Sequence, residues 1–247
     1  MLTGKFIIVT GAARGLGRSI ALEAAKCGAC VGINYLTSEA EALSLREAIR
    51  TTGAPEPVLL PFDATCKEAI EEGISLFLKS CPRIDGWVNN AARNFPGLLP
   101  MLTREEIQAQ LDSALTGPIL CCQAVLPYML AEHHGAIVNI GSITSEKVFR
   151  GQSVYAAAKG GLVSFTRALA FEYARKGIRV NVLQPGPVET DMLKQTDGFR
   201  SAQFLTEMPQ GCLVDAISVA SMAVFLLSEK AKSITGSMVN VDGGYTL

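Results

Sequence analysis

Short apolar runs alternate along the chain with longer stretches in which apolar residues recur every three or four positions. Phe6–Val9, Cys30–Ile33, Val58–Phe62, Gly86–Asn89, Ala136–Ile140, Ile178–Leu183 and Met238–Val241 read as strands. Leu16–Cys27, Ser38–Thr51, Lys67–Lys79, Thr103–Leu130, Gln152–Arg175 and Ala216–Leu227 read as helices. Ser38 suits an N-cap, and Thr103 with Glu106 makes a capping box. Pro118 falls inside the fourth helix, where it removes a donor. The strands are apolar at consecutive positions, as in Phe6-Ile7-Ile8-Val9, so both sheet faces are covered. Strand–helix alternation of this kind predicts one doubly wound α/β domain over residues 1–247, with a seven-stranded parallel sheet and helices on both faces. There is no internal repeat and no linker. The polar stretch Leu193–Gly211 is either a lid over a substrate or an ordinary surface excursion.

Composition narrows the function. The 247 residues are 49% hydrophobic and 18% charged, enough apolar material for one large core. With 22 basic and 23 acidic residues there is no surplus that would favour nucleic acid. The N-terminus runs straight into a strand, and no apolar run looks long enough to span a bilayer, so a soluble cytoplasmic protein is expected. Cys27 and Cys30 form a CxxC, but no second CxxC or nearby His accompanies it, and buried thiols are the expected reading. His133 and His134 are expected at the surface of a helix end. No cluster has metal-ligand spacing.

The first chemical signal follows the first strand. Thr10-Gly11-Ala12-Ala13-Arg14-Gly15-Leu16-Gly17 opens the first helix with a GxxxGxG spacing. Gly11 suits a tight turn, Gly15 a close backbone approach to a pyrophosphate, and Gly17 close helix–strand packing. The helix N-terminus adds free N–H groups. The end of the second strand, Asn34-Tyr35-Leu36-Thr37-Ser38, carries no carboxylate for a ribose hydroxyl, and Arg14 could clamp a 2′-phosphate. That combination predicts NADP(H).

The second signal is Tyr155 and Lys159, one turn apart on a strongly helical run. A phenol titrates near ~10, and an ammonium at ~4 Å in an effective dielectric of ~20 would favour the phenolate by ~4 kcal/mol, at most ~3 pK units. Such a pair alone is a weak motif. Ser142 just after the strand Ala136–Ile140 adds a hydroxyl on the edge where ligands bind in these sheets.

With these motifs in order, the whole chain resembles the short-chain dehydrogenase/reductase family. The resemblance rests on Thr10–Gly17, Asp63-Ala64, Asn89-Asn90-Ala91-Ala92, Ser142, Tyr155–Lys159, Pro185-Gly186 and Val241-Asp242-Gly243-Gly244. Asn34-Tyr35, Gly151-Gln152 and the run Pro185–Met192 look closest to 3-oxoacyl-[acyl-carrier-protein] reductases of fatty acid biosynthesis. The resemblance implies these roles. Gly11, Arg14, Gly15, Leu16, Gly17 and Asn34 would bind the cofactor, and Asp63 and Ala64 would hold the adenine. Asn90, Ala91, Pro185 and Gly186 would line the cleft, and Val188 and Thr190 would fix the carboxamide. Tyr155 would protonate the carbonyl oxygen, Ser142 would polarise it, and Lys159 would bind the ribose and lower the Tyr155 pKa. An alcohol, sugar or steroid dehydrogenase, or a non-catalytic cofactor-binding subunit, would share most of these residues.

Three positions depart from the family pattern. Ala114 stands where the family has an Asn in its proton relay, so a slower relay is expected and an Asn there should raise turnover. Ala92 stands where Gly is usual, and Cys212 where many relatives have Arg. An acidic carrier protein would need a basic rim, for which Lys147, Arg150, Arg175 and Lys176 are candidates with His133 and His134 near in sequence. The resemblance also implies a homotetramer, or a heteromer with a related subunit.

Overall fold

The computed structural model describes residues 1–188, 204 and 206–247. The stretch Leu193–Gly211, expected to be a lid or a surface excursion, therefore falls largely outside the described residues, and Thr190 falls wholly outside them. Seven strands form one parallel sheet: β1 (Phe6–Val9), β2 (Cys30–Tyr35), β3 (Val58–Pro61), β4 (Gly86–Asn89), β5 (Gly135–Ile140), β6 (Ile178–Pro185) and β7 (Met238–Val241). Their order is β3-β2-β1-β4-β5-β6-β7. Order reverses between β1 and β4, which opens a crevice at the carboxyl ends of those strands.

Consecutive apolar residues serve opposite faces. Ile7, Val9, Val88 and Val138 join the core under α1 (Gly15–Lys26), α2 (Glu39–Arg50) and α7 (Ala216–Leu227). Ile8, Trp87 and Ile137 join the core under α3 (Lys67–Leu78), α5 (Gly117–Ala131) and α6 (Ser153–Tyr173). The two-residue period of a strand sends neighbours to opposite sides, so a strand covered on both faces shows no alternation.

The helix expected over Thr103–Leu130 is not continuous. α4 (Arg104–Leu111), started by the Thr103–Glu106 capping box, passes into a π turn over Asp112–Thr116 before α5 begins. Within it the Gly117 N–H donates to the Asp112 carbonyl, five residues back. Pro118 has no N–H to offer the Ala114 carbonyl four residues back, so an α-helical ladder cannot close there. Taken together, Arg104–Ala131 is long and apolar enough to cross a membrane, contrary to expectation; half of its most apolar window is buried inside the domain, as in a core helix.

Candidate active site

The glycine turn is held from both sides by asparagines. Asn34, buried on β2, accepts the Gly11 N–H at 3.0 Å and donates to the carbonyls of Leu60 and Phe62 at 3.1 and 2.9 Å. Its side chain is thus committed within the protein and acts on the cofactor cleft through the turn, where a direct contact was expected. Asn90 donates to the carbonyls of Thr10 and Gly11 at 2.9 and 3.1 Å. The Thr10 hydroxyl accepts the N–H groups of Asn90 and Ala91 at 2.9 and 3.1 Å, tying β1 to the end of β4. Gly11 and Gly15 have φ of +61° and +54°, which only glycine adopts cheaply. A Cβ on Gly17 would lie 2.3 Å from the Gly11 carbonyl oxygen.

A cleft of about 1520 Å³ runs along this edge of the sheet. It is lined by the glycine turn with Arg14 and Leu16, by Asp63 and Ala64, by Asn90 and Ala91, and by Pro185, Gly186 and Val188. Asp63 Oδ1 accepts from both the N–H and the hydroxyl of Thr65, at 2.8 and 2.7 Å. Arg14 is exposed, and among the described residues its guanidinium has no hydrogen-bond or ion-pair partner. The cleft also takes in Tyr35, Leu36, Thr37 and Ser38 at the end of β2, with no carboxylate among them.

The same cleft holds Ser142, Tyr155 and Lys159. Tyr155 and Lys159 lie one turn apart on α6 and both are buried. Lys159 Nζ donates to the Ile140 carbonyl at 2.7 Å and lies 5.6 Å from the centroid of the Tyr155 ring. Ser142 Oγ accepts the Thr144 N–H at 3.3 Å and shares a hydrogen bond with Tyr155. Burial pushes the phenol up to about 12, against the pull of Ser142. Burial likewise brings the lysine down to about 8. The expected lowering of the phenol by the lysine charge is not met: the amine is aimed at a backbone carbonyl, and desolvation dominates both groups. Tyr155 keeps its proton at neutral pH, the state that a general acid requires.

The family described as "Enoyl-(Acyl carrier protein) reductase" matches residues 11–246. A 3-oxoacyl-[acyl-carrier-protein] reductase of Vibrio harveyi is 37% identical over 243 residues, 98% of each chain. The enzyme of that name from Escherichia coli is 36% identical over 241 residues, covering 98% of this chain and 97% of its own. A solved short-chain dehydrogenase from Burkholderia cenocepacia, in complex with NADP, superposes with a TM-score of 0.92 at 30% identity, covering 100% of this chain and 99% of its own. The chain belongs to the short-chain dehydrogenase/reductase family. It is an oxidoreductase of the class that interconverts CH–OH and C=O.

Two of its departures from the short-chain dehydrogenase/reductase pattern meet in space. Ala114, with no exposure, packs with Tyr155 and Ala158, and Ala92 packs against the same cluster. On the resemblance, Ala92 stands where glycine is usual and Ala114 where asparagine is usual. Ser113, adjacent in sequence, is engaged elsewhere, its Oγ accepting the Arg93 N–H at 2.9 Å. Cys212 is exposed, and nothing in the structure explains its place there.

The proposed basic rim divides. Lys147 and Arg150 line the cleft, but Arg175 and Lys176 follow the far end of α6, roughly 27 Å of helix rise from Tyr155. His134 is half-buried beside Lys5, Asp85 and Glu229, well away from the cleft lining. Cys30 is a buried free thiol, as expected, in hydrogen-bond contact with the free thiol of Cys81 (Sγ–Sγ 3.4 Å), whereas Cys27 is only half-buried. Sequence reasoning missed Gln184, buried on β6. Its Oε1 accepts the Ser142 N–H at 3.3 Å and the Ser145 hydroxyl at 2.5 Å, and its Nε2 donates to Glu146 at 3.1 Å. Only the fold brings these residues together.

Proposed function

We propose that this chain reduces the ketone of 3-oxoacyl thioesters, carried on acyl-carrier protein or coenzyme A, with NADPH as reductant. The observation that carries the reading is a buried Tyr155 hydrogen-bonded to Ser142, one helical turn from Lys159, in the cleft that the glycine turn opens. The sequence likeness to enzymes named 3-oxoacyl-[acyl-carrier-protein] reductases supports the substrate class.

The cleft fits a dinucleotide. The backbone at Gly17 leaves no room for a side chain, as a close-packed phosphate turn requires. The carboxylate-free end of β2 and the unpaired Arg14 fit a 2′-phosphate, and a relative of the same fold is known with NADP. Gly11, Gly15, Leu16 and Gly17 would seat the pyrophosphate, with Asn34 bracing the turn. Asp63 and Ala64 would border the adenine. Asn90, Ala91, Pro185, Gly186 and Val188 would line the nicotinamide half, where the resemblance adds Thr190, and Tyr155 and Lys159 would reach its ribose. When bound, the nicotinamide supplies the hydride.

The chain's own residues handle the proton. The Ser142 hydroxyl donates to the substrate carbonyl and fixes its direction. The Tyr155 hydroxyl gives its proton to that oxygen as negative charge develops there. Lys159, held by the Ile140 carbonyl, keeps a cation below the phenol while it remains protonated.

NADPH oxidation with an acetoacetyl thioester tests the reading. Tyr155→Phe should lower turnover by about 10²- to 10⁴-fold while NADPH binding, followed by fluorescence, persists. The pH profile should fall as pH rises through about 8, where Lys159 loses its charge, because Tyr155 keeps its proton to about 12. NADPH binding without reduction of any ketone would point to a non-catalytic subunit instead.

A further inference from the structure

The cleft that holds Ser142 and Tyr155 is also lined by Phe149, Phe204 and Tyr245, three rings from three distant segments. We propose that this cluster is the subsite for the hydrocarbon chain of the substrate beyond the reacting carbonyl. The assignment rests on the proposed function for its substrate class.

The rings form an ordered wall. Phe149 and Tyr245 stack at 6.1 Å with planes 10° apart. Phe204 meets both edge-on, at 6.0 and 5.9 Å. Tyr245 anchors the group and is only 2% exposed. Its hydroxyl donates to Glu207 Oε2 at 2.5 Å, its carbonyl accepts from Lys147 Nζ at 2.9 Å, and that ammonium sits 3.8 Å from the ring centroid. The Lys147 cation is therefore turned onto the C-terminal tail, and the three rings form an apolar patch within a lining that also includes Arg150, Gln152 and Glu207.

Phe149 and Phe204 are half-buried, and neighbouring Val148 is 81% exposed, so apolar surface remains for a ligand to cover. The loop that carries Phe149 also carries Ser142, whose hydroxyl fixes the carbonyl. A substrate held at Ser142 then extends along its own loop onto the rings. The ring faces offer contact without a conventional hydrogen-bond partner, which suits methylene groups better than the amides of a pantetheine arm.

A series of 3-oxoacyl thioesters from four to ten carbons, on one small thiol handle, provides the test. In the unaltered protein kcat/KM should rise about four-fold per added methylene, the factor that corresponds to about 0.8 kcal/mol, until the wall is covered. Phe149→Ala and Phe204→Ala should flatten that slope. Val148→Trp, at an exposed position outside the core, should make the rise stop at a shorter chain. The slope is read within each variant, so a general loss of rate or stability does not mimic the effect. A flat series in the unaltered protein, or a slope untouched in all three variants, overturns the subsite. A preference that follows the handle and ignores chain length assigns the wall to the carrier arm and also overturns it. Should thioesters fail while simple ketones react, the substrate class falls, and the same slope measured on methyl ketones of rising length still decides the wall.

Discussion

The two ends of the cleft are built from different materials. At the proposed cofactor end the glycine turn brings backbone to the cleft, and side chains brace it: Asn34 and Asn90 hold the glycine turn, and Thr10 ties it to β4. At the proposed substrate end the candidate reacting groups are side chains, Ser142 and Tyr155, and the order comes from long-range links. Gln184 holds the Ser142 loop, Glu146 bridges Gln184 to Asn240 at 3.1 Å on each side, and Asn240 meets Thr246 at 3.2 Å. A backbone surface can accept almost no added atom but asks little of particular side chains. A side-chain surface can be recut by substitution while the sheet beneath it stays the same, so substrate choice can change while the cofactor grip is retained.

The comparison breaks most sharply at Gly17. An added Cβ would sit 2.3 Å from the Gly11 carbonyl oxygen and 2.5 Å from Asn90 Nδ2. Neither the turn nor its brace can move alone, because each bonds the other. Gly17→Ala should therefore weaken NADPH binding by about a hundred-fold, the upper part of the ~1–3 kcal/mol that overpacking costs. Titration calorimetry measures it. Near-normal affinity would show that the turn is more pliable than its hydrogen bonds imply.

This contrast also explains what the sequence made legible. The glycine turn is a local object, eight consecutive residues between a strand and a helix, and its spacing survives in the chain as text. The seven strands were equally visible, because burial on both faces leaves uninterrupted apolar runs such as Phe6–Val9. The Tyr155–Lys159 face followed from helical periodicity, but the direction of the Tyr155 shift did not, since it depends on how deeply the fold buries the phenol. The π turn before Pro118 was invisible because it differs from an α-helix by one residue in hydrogen-bond register. The Lys147–Tyr245 clasp joins residues 98 apart, and the hydrogen-bond contact of the Cys30 and Cys81 thiols joins residues 51 apart. No local pattern encodes such partners. The basic rim was divided for the same reason, as Lys147 and Arg150 line the cleft while Arg175 and Lys176 follow the far end of α6.

Arg14 is the long side chain of the glycine turn that a bound cofactor would use directly, and it sharpens the comparison. It is exposed and unpaired among the described residues, so its removal should leave the fold and the turn intact. Arg14→Ala should lower NADPH affinity about ten-fold, within the ~1.5–3 kcal/mol of a hydrogen bond to a charged group after discounting for solvent. NADH affinity should change less than about two-fold, because it carries no 2′-phosphate. Equal losses for both would mean that Arg14 shapes the turn and does not read the phosphate.

The smallest effect is expected beneath Tyr155, where the two ends meet. The sequence suggested that restoring the family asparagine at Ala114 would speed the proton relay. The structure argues the reverse for the single change, since Ala114 has no exposure and packs with Tyr155, Ala158 and Ala92. An amide there must displace the phenol or lie without partners, so Ala114→Asn should lower turnover about three-fold, with a melting temperature about 4 °C lower for a cost of about 1–2 kcal/mol. Removing the neighbouring methyl as well should return the space. The double change Ala114→Asn with Ala92→Gly is then expected to recover both turnover and melting temperature, a non-additive result of the kind that contacting residues give. Additive losses in the double variant would mean that the two alanines were exchanged independently and that the amide is excluded by Tyr155 itself.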